Sequence, residues 1–284
     1  MAATALLVPL VLLSAVLHAT WNAVVKAAHA DRLTTQSLVI WTSCVAGALT
    51  IPFVAVPAAA SWPFIALSMI VHTLYYAFLL LAYKDGELSR VYPIARGTAP
   101  LLVALFATVL VGEALSLPQS IGVALVSLGI VSLAFENGLP RGAERKAIAA
   151  ALLTGLTITA YTLIDGMGVR RSGAPIGYIA WLFAIGGLPF GIGALILRGA
   201  PSWRAPGADW AKAIAGGLIA TIGYGIAIWA MGQAAFAGIV SLRETSVIFG
   251  AILGAVFLGE RFGPARYVAA ALVAGGNLLL HLAR

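Results

Sequence analysis

The chain has 284 residues, of which 61% are hydrophobic and only 10% are charged, and its formal net charge is +7. Soluble globular domains carry about 25% charged residues, so composition excludes a soluble domain and predicts an all-α protein that crosses a membrane many times. In a soluble protein the positive charge would indicate nucleic-acid binding. Here it indicates basic loops that face anionic lipid. The expected partners are therefore the lipid bilayer and a small-molecule substrate, with no nucleic acid.

Apolar runs of about 20 residues, separated by polar or Gly/Pro clusters, predict ten transmembrane helices. Six of them are expected at about 4–28, 64–83, 88–111, 147–169, 210–231 and 236–258. The second, fifth, seventh and tenth helices are expected to end at about 56, 136, 198 and 282. A hydrophilic break at 137–141 divides them into two groups of five, so the predicted repeats are 1–140 and 141–284. The loops are too short to hold a soluble domain.

The two halves share a repeated segment. When the sequence is shifted by 147 positions, ten of the 34 residues from Arg96 to Gly129 are identical to their counterparts. The matches include two arginines inside apolar helices and two Gly-Glu pairs, namely Arg96 with Arg243 and Gly112-Glu113 with Gly259-Glu260. Five helices, an odd number, separate the copies, so we expect two inverted five-helix repeats. The glutamates of the pairs lie at helix ends, where helix termination and the water interface account for them.

Basic residues are distributed unequally between the two sets of loops. The loops after odd-numbered helices hold 12 of the 17 lysines and arginines, whereas the opposite face holds three. By the positive-inside rule, both termini are predicted to lie outside the cytoplasm. We expect a multi-pass protein of a cell membrane, of the bacterial inner-membrane type, that is a monomer or a weak homodimer.

The duplication and the two Gly-Glu pairs carry a family resemblance. The sequence resembles the drug/metabolite transporter superfamily, specifically its EamA-type ten-helix branch, over nearly the whole chain. The segments His18–Asn22 and Tyr92–Gly97 are similar to a subgroup labelled as phosphonate-utilisation-associated. The resemblance implies a transporter of small metabolites, such as amino acids, sugars, phosphorylated compounds or drugs.

Arg96 and Arg243 are the first candidate substrate-binding residues, because ionisable groups at membrane depth are costly and usually functional. We expect them to engage an anionic group of the substrate. The alternative is that each side chain extends to its nearer interface. Glu244 points about 100° away from Arg243 on a helix, so it needs another partner, and Arg96 is one candidate.

Seven further polar side chains are candidate lining residues of the substrate cavity: His18, Trp21, Asn22, His72, Tyr76, Tyr161 and Asp165. Several are four residues apart, which places them on one helix face. We expect Asp165 to pair with an arginine or with a cationic group. The histidines are candidate proton relays, with a hydrogen-bonded structural role as the alternative. For the tryptophan and the tyrosines the alternative is ordinary helix packing.

Several motifs are missing from the sequence: a Cys/His metal cluster, a P-loop, a GxSxG elbow and a dinucleotide fingerprint. We therefore expect no metal, no cofactor and no enzymatic activity, while proton coupling stays open. The sequence predicts a secondary active transporter that moves a small polar solute with an anionic group, such as an amino acid-like metabolite, by alternating access. The alternatives are a proton-coupled exporter of cationic drugs and a transporter of a phosphonate or phosphorylated metabolite.

Overall fold

The computed structural model describes residues 2–26, 32–85, 88–135, 144–198, 207–258 and 263–282, and within these ranges every regular element is helical. The α-helices are α1 (Ala2–Lys26), α2 (Arg32–Thr50), α3 (Trp62–Asp85), α4 (Leu88–Val111), α5 (Leu117–Ser132), α6 (Glu144–Arg171), α7 (Pro175–Gly186), α8 (Leu188–Arg198), α9 (Gly207–Met231), α10 (Phe236–Arg243), α11 (Ser246–Leu258) and α12 (Pro264–Leu282). The predicted repeat boundary at 140 and the second Gly-Glu pair lie outside the described residues.

The helices have the length and surface of membrane spans. In the described ranges, nine helical segments are long and apolar enough to cross a bilayer. Large apolar side chains are exposed on them, including Val109 at 73%, Ile196 at 79% and Leu197 at 80%. Such a surface is stable against lipid and not against water. The predicted all-α, multi-pass architecture is confirmed.

Two of the predicted spans are each built from two helices. The seventh is interrupted at Gly187, between α7 and α8, where Pro189 supplies no backbone N–H and its ring crowds the preceding turn. The ninth, predicted as one helix over 236–258, is interrupted between α10 and α11 at Glu244 and Thr245.

The interruption in the ninth span has a local cause. The N–H of Thr245 donates to the carbonyl of Leu242 at 3.2 Å, and that of Val247 donates to Glu244 at 3.0 Å, so the chain here makes the tighter three-residue turn. The hydroxyl of Thr245 also donates to the Leu242 carbonyl, at 2.7 Å. A threonine that bonds to the backbone in this way competes with the regular helical pattern.

The chain forms two compact units that differ from the predicted repeats. Unit one comprises Met1–Thr73 and Ile164–Gln233, and unit two comprises Leu74–Leu163 and Ala234–Arg284. Each unit takes helices from both halves of the sequence, and the division falls inside α3 and α6. The repeats 1–140 and 141–284 stay a prediction about a duplication in the sequence. The compact units describe which helices pack together, which is a separate property.

Each unit is packed through small residues. In unit one, α9 lies against α1 and α2, and the Ser14 hydroxyl donates to the Gly223 carbonyl at 2.6 Å. In unit two, α5 and α12 meet at Gly122 and Gly276, where a Cβ added to Gly122 would lie 2.7 Å from the Gly276 carbonyl oxygen. Small residues of this kind allow the backbones of membrane helices to approach closely.

Candidate functional site

Arg96 lies in α4 inside unit two and is only 5% exposed. The neighbouring Gly97 brings α4 against α5, since a Cβ at that position would lie 2.7 Å from the Val131 side chain and 3.0 Å from the Val131 nitrogen. The close approach holds this turn of α4 within the unit. The arginine is therefore a buried cation that requires a counter-charge or polar partners.

Glu244 supplies that counter-charge. Its Oε1 atom accepts a hydrogen bond from Arg96 Nη2 at 2.5 Å, and the glutamate side chain is 2% exposed. Glu244 thus contacts Arg96, which is one candidate partner predicted for it from the sequence. The interruption of the ninth span falls at the glutamate itself, so the ion pair joins α4 to the turn between α10 and α11.

The ion pair leaves several of its polar atoms without a hydrogen-bond partner among the described residues. These atoms are Arg96 Nε and Glu244 Oε2, and four more buried oxygens of unit two share this property: Ser127 Oγ, Ser241 Oγ, Ser246 Oγ and Asn277 Oδ1. Asn277, on α12, donates its amide to the Ser241 carbonyl at 3.1 Å. Buried polar groups are rarely left unbonded, so this cluster beside the helix break has the capacity to bind a polar solute or water.

Tyrosines surround the ion pair within the same unit. The Tyr75 ring lies 5.0 Å from that of Tyr76 and 5.5 Å from that of Tyr161. Tyr75, Tyr92 and Tyr161 are all near enough to interact electrostatically with Arg96. The predicted residues Tyr76 and Tyr161 therefore belong to the same neighbourhood as Arg96. Tyr92 was missed, although its position four residues before Arg96 is the signal that could have identified it.

Arg243 also acts on the glutamate. It is partly buried and attracts Glu244 electrostatically. The two are sequence neighbours at the end of α10, so they diverge around the helix axis. The turn thus combines one glutamate that contacts Arg96 with a second arginine close by.

Asp165 forms a separate polar cluster in unit one. Its side chain is fully buried on α6, and it accepts hydrogen bonds from the hydroxyls of Tyr224 at 2.6 Å, Tyr178 at 3.5 Å and Ser68. Among the residues that the structure describes, no lysine or arginine pairs with it. The expected partner was an arginine or a cationic group; the carboxylate is instead bound by neutral donors. Neither Ser68 nor Tyr178 was identified from the sequence.

His72 extends this cluster along α3. Its Nδ1 atom lies 3.0 Å from both the hydroxyl and the carbonyl oxygen of Ser68, one helical turn earlier. Its ring packs at an edge against that of Tyr224, with 6.0 Å between centroids. The histidine is therefore joined to Asp165 through a single serine hydroxyl.

The remaining candidates lie on α1, also in unit one. Trp21 donates its indole N–H to Nδ1 of His18 at 3.2 Å, and Asn22 donates its amide to the His18 carbonyl at 2.7 Å. These contacts link residues three and four apart on the same helix. The predicted site residues thus fall into two groups, with five in each unit.

Glu113 has a role that the sequence interpretation did not assign. Gly112, with φ at 75°, ends α4 in the left-handed conformation that glycine favours. The next residue, Glu113, accepts a hydrogen bond through Oε2 from the N–H of Phe236, the first residue of α10, at 2.7 Å. The N-cap residue Ala235 offers no side-chain acceptor. Glu113 therefore caps α10 from a distant part of the sequence. Its negative charge also interacts favourably with the positive N-terminal end of the helix dipole.

No group of three or more histidine, cysteine, aspartate or glutamate side chains in the described ranges is arranged to hold a metal ion. The charged atoms available at the two clusters are those of arginine, aspartate and glutamate. The chemistry that they support is reversible binding of charged or polar groups.

Comparison with known proteins agrees with this architecture. A solved structure described as "Crystal structure of protein" superposes with a TM-score of 0.79 at 20% sequence identity and covers 100% of this chain and 99% of its own. At that identity the likeness concerns the fold alone. No curated protein matches the sequence. The EamA-like transporter family matches residues 5–135 and 145–282, almost the entire chain. The chain is therefore a multi-pass membrane transporter of the drug/metabolite type and belongs to the EamA-like transporter family.

Proposed function

We propose that the protein is a secondary active transporter of a small zwitterionic solute, an amino acid-like metabolite that carries both an anionic and a cationic group. The observation that carries this proposal is the buried ion pair between Arg96 and Glu244. Transport proceeds by alternating access, with the predicted repeats 1–140 and 141–284 as the exchanging parts.

The ion pair supports a zwitterion because such a solute replaces both partners at once. The solute's carboxylate takes the place of Glu244 at Arg96, and its ammonium group takes the place of Arg96 at Glu244. Neither buried charge is then left without compensation, which would cost several kcal/mol. The unbonded Nε of Arg96 lies on the edge of the guanidinium that binds a carboxylate through two parallel hydrogen bonds.

The interrupted ninth span supports the same location. In secondary transporters, substrate sites are often formed where a membrane helix is discontinuous, because the ends of the half-helices present unpaired backbone groups and their dipoles. Glu244 lies in the interruption between α10 and α11, and Ser241 and Ser246 flank it with hydroxyls that have no hydrogen-bond partner among the described residues. A polar solute at this turn meets both charged and neutral hydrogen-bonding groups.

The two alternatives place different demands on the same residues. A phosphonate or phosphorylated solute requires excess positive charge, and Glu244 offsets one of the two arginines. An exporter of cationic drugs requires a carboxylate without an arginine partner, a condition that Asp165 meets within the described residues. The second alternative is therefore the stronger of the two.

Thermal unfolding of the purified protein in detergent, with three ligand panels, tests the proposal. We expect neutral amino acids to raise the unfolding temperature, and phosphonates and lipophilic cations to leave it unchanged. The variants Arg96→Lys and Glu244→Gln should each lose the response, because lysine offers a point charge where the arginine offers a planar fork. Stabilisation by phosphonates or cations alone, or an amino-acid response that survives in both variants, would contradict the assignment.

A further inference from the structure

We propose that Asp165 is a proton-binding site, supplied through Ser68 and His72, and that its proton drives solute movement. This inference deepens the proposed transport function and rests on it for the coupling role. The proton-binding site itself is argued from unit one alone.

The surroundings of Asp165 accommodate both of its protonation states. As an anion it is held by three hydroxyl donors, from Ser68, Tyr178 and Tyr224, in a fully buried position. No cation compensates its charge within the described part of the chain, so the anion is costly and proton binding removes that cost. A tyrosine hydroxyl both donates and accepts. The protonated acid can therefore donate its own hydrogen to a tyrosine that previously donated to it.

A path for the proton runs along α3. With its hydrogen on Nδ1, His72 donates to the Ser68 hydroxyl at 3.0 Å, and Ser68 donates to Asp165. As His72 accepts a proton at Nε2, its Nδ1 proton joins the serine oxygen and the serine's own hydrogen passes to the carboxylate. His72 thus gains one proton and loses another, Asp165 gains one, and the serine is unchanged. An imidazole is suited to this relay because one ring nitrogen can accept a proton while the other donates one.

The other ionisable groups near this cluster have separate roles. The ionisable groups in contact with Asp165 are Tyr178 from α7 and Tyr224 from α9, and His72 from α3 contacts Tyr224 and Ser68. The remaining charged side chains of these helices and of α6 in unit one have contacts of their own. Arg170 donates to the Met231 carbonyl, Arg171 lies over the Phe64 ring, and Lys212 pairs with Asp209. Asp165 is therefore the carboxylate that a proton on this path reaches.

The position of the path along the chain suits a coupling role. Unit one ends at Thr73 within α3 and resumes at Ile164 within α6. His72 and Asp165 each lie next to one of these crossing points. Protonation therefore changes charge and hydrogen bonding in the two helices that continue from one unit into the other, the kind of element that transmits a conformational change.

Infrared difference spectra between acidic and alkaline pH test the proton site without any solute. The full-length protein is labelled with carboxyl-¹³C aspartate, so that only its four aspartates shift. We expect a label-sensitive band of a protonated carboxylic acid that is lost in Asp165→Asn and kept in the control Asp209→Asn. Tyr224→Phe removes the 2.6 Å hydrogen bond and should move the band. An unchanged band in Asp165→Asn overturns the proposal. If Asp165→Asn does not accumulate in the membrane, an unchanged band in Tyr224→Phe overturns it.

Proteoliposome uptake of a radiolabelled mixture of neutral amino acids tests the coupling. A pH gradient should stimulate uptake by the unmodified protein, and Ser68→Ala should lose that stimulation because the path is interrupted. Ser14→Ala is the matched control, a fully buried serine of the same unit that bonds to a backbone carbonyl. Stimulation that survives in Ser68→Ala refutes the path. If the unmodified protein moves no amino acid, the proposed function fails, and the infrared result still decides the proton site.

Discussion

The buried ion pair makes a quantitative prediction about stability. Glu244→Gln leaves the Arg96 charge buried without its counter-charge, and Arg96→Gln leaves the glutamate without its hydrogen-bonded partner, with Arg243 as the nearby positive charge. Removing one partner of a buried pair costs about 3–5 kcal/mol. The double variant removes both charges and so avoids that penalty. We therefore expect the double variant to be destabilised by at least about 2 kcal/mol less than the sum of the two single variants.

Unfolding in mixed micelles, followed by circular dichroism during titration with a denaturing detergent, measures the four free energies of this cycle. Lys212 and Asp209 provide a control cycle, because their ion pair spans 3.6 Å and joins a lysine that is 31% exposed to an aspartate that is 2% exposed. Water at the lysine screens that pair, so its coupling should be smaller than that of two fully buried partners. If the coupling between Arg96 and Glu244 is no larger than that of the control, the argument that each compensates the other's buried charge is refuted.

Two further predictions concern the helix cap and the topology. Glu113→Ala should lower the unfolding free energy by about 0.5–2 kcal/mol, the usual cost of losing an N-cap acceptor. Glu113→Gln keeps an oxygen acceptor and should lower it by less. If the unmodified protein and both variants are equally stable, Glu113 does not cap α10. With both termini outside the cytoplasm, a cysteine at Ser202 in a Cys44→Ala background should react in intact cells only with a membrane-permeant reagent. Modification by an impermeant reagent would reverse the predicted orientation.

Local sequence properties were sufficient to predict most of the fold. Hydrophobic runs long enough to cross the bilayer predict helices, because backbone groups in lipid must be satisfied within the segment itself. The predicted start at 236 and the predicted ends at 111 and 231 agree with the structure. The duplication of Arg96 as Arg243 likewise identified the charged positions of unit two, since an arginine in an apolar helix stands out without any knowledge of its contacts.

The partners of those charges were decided by tertiary structure. Glu244 contacts Arg96, 148 positions away, and Glu113 caps α10 from 123 positions away. Asp165 is bound by the hydroxyls of Ser68, Tyr178 and Tyr224, contributed by three other helices. Helical spacing shows which residues share a face of one helix, but it contains no information about which face of another helix packs there. That choice depends on close contacts such as those at Gly97 and Gly122, which form only when the helices assemble.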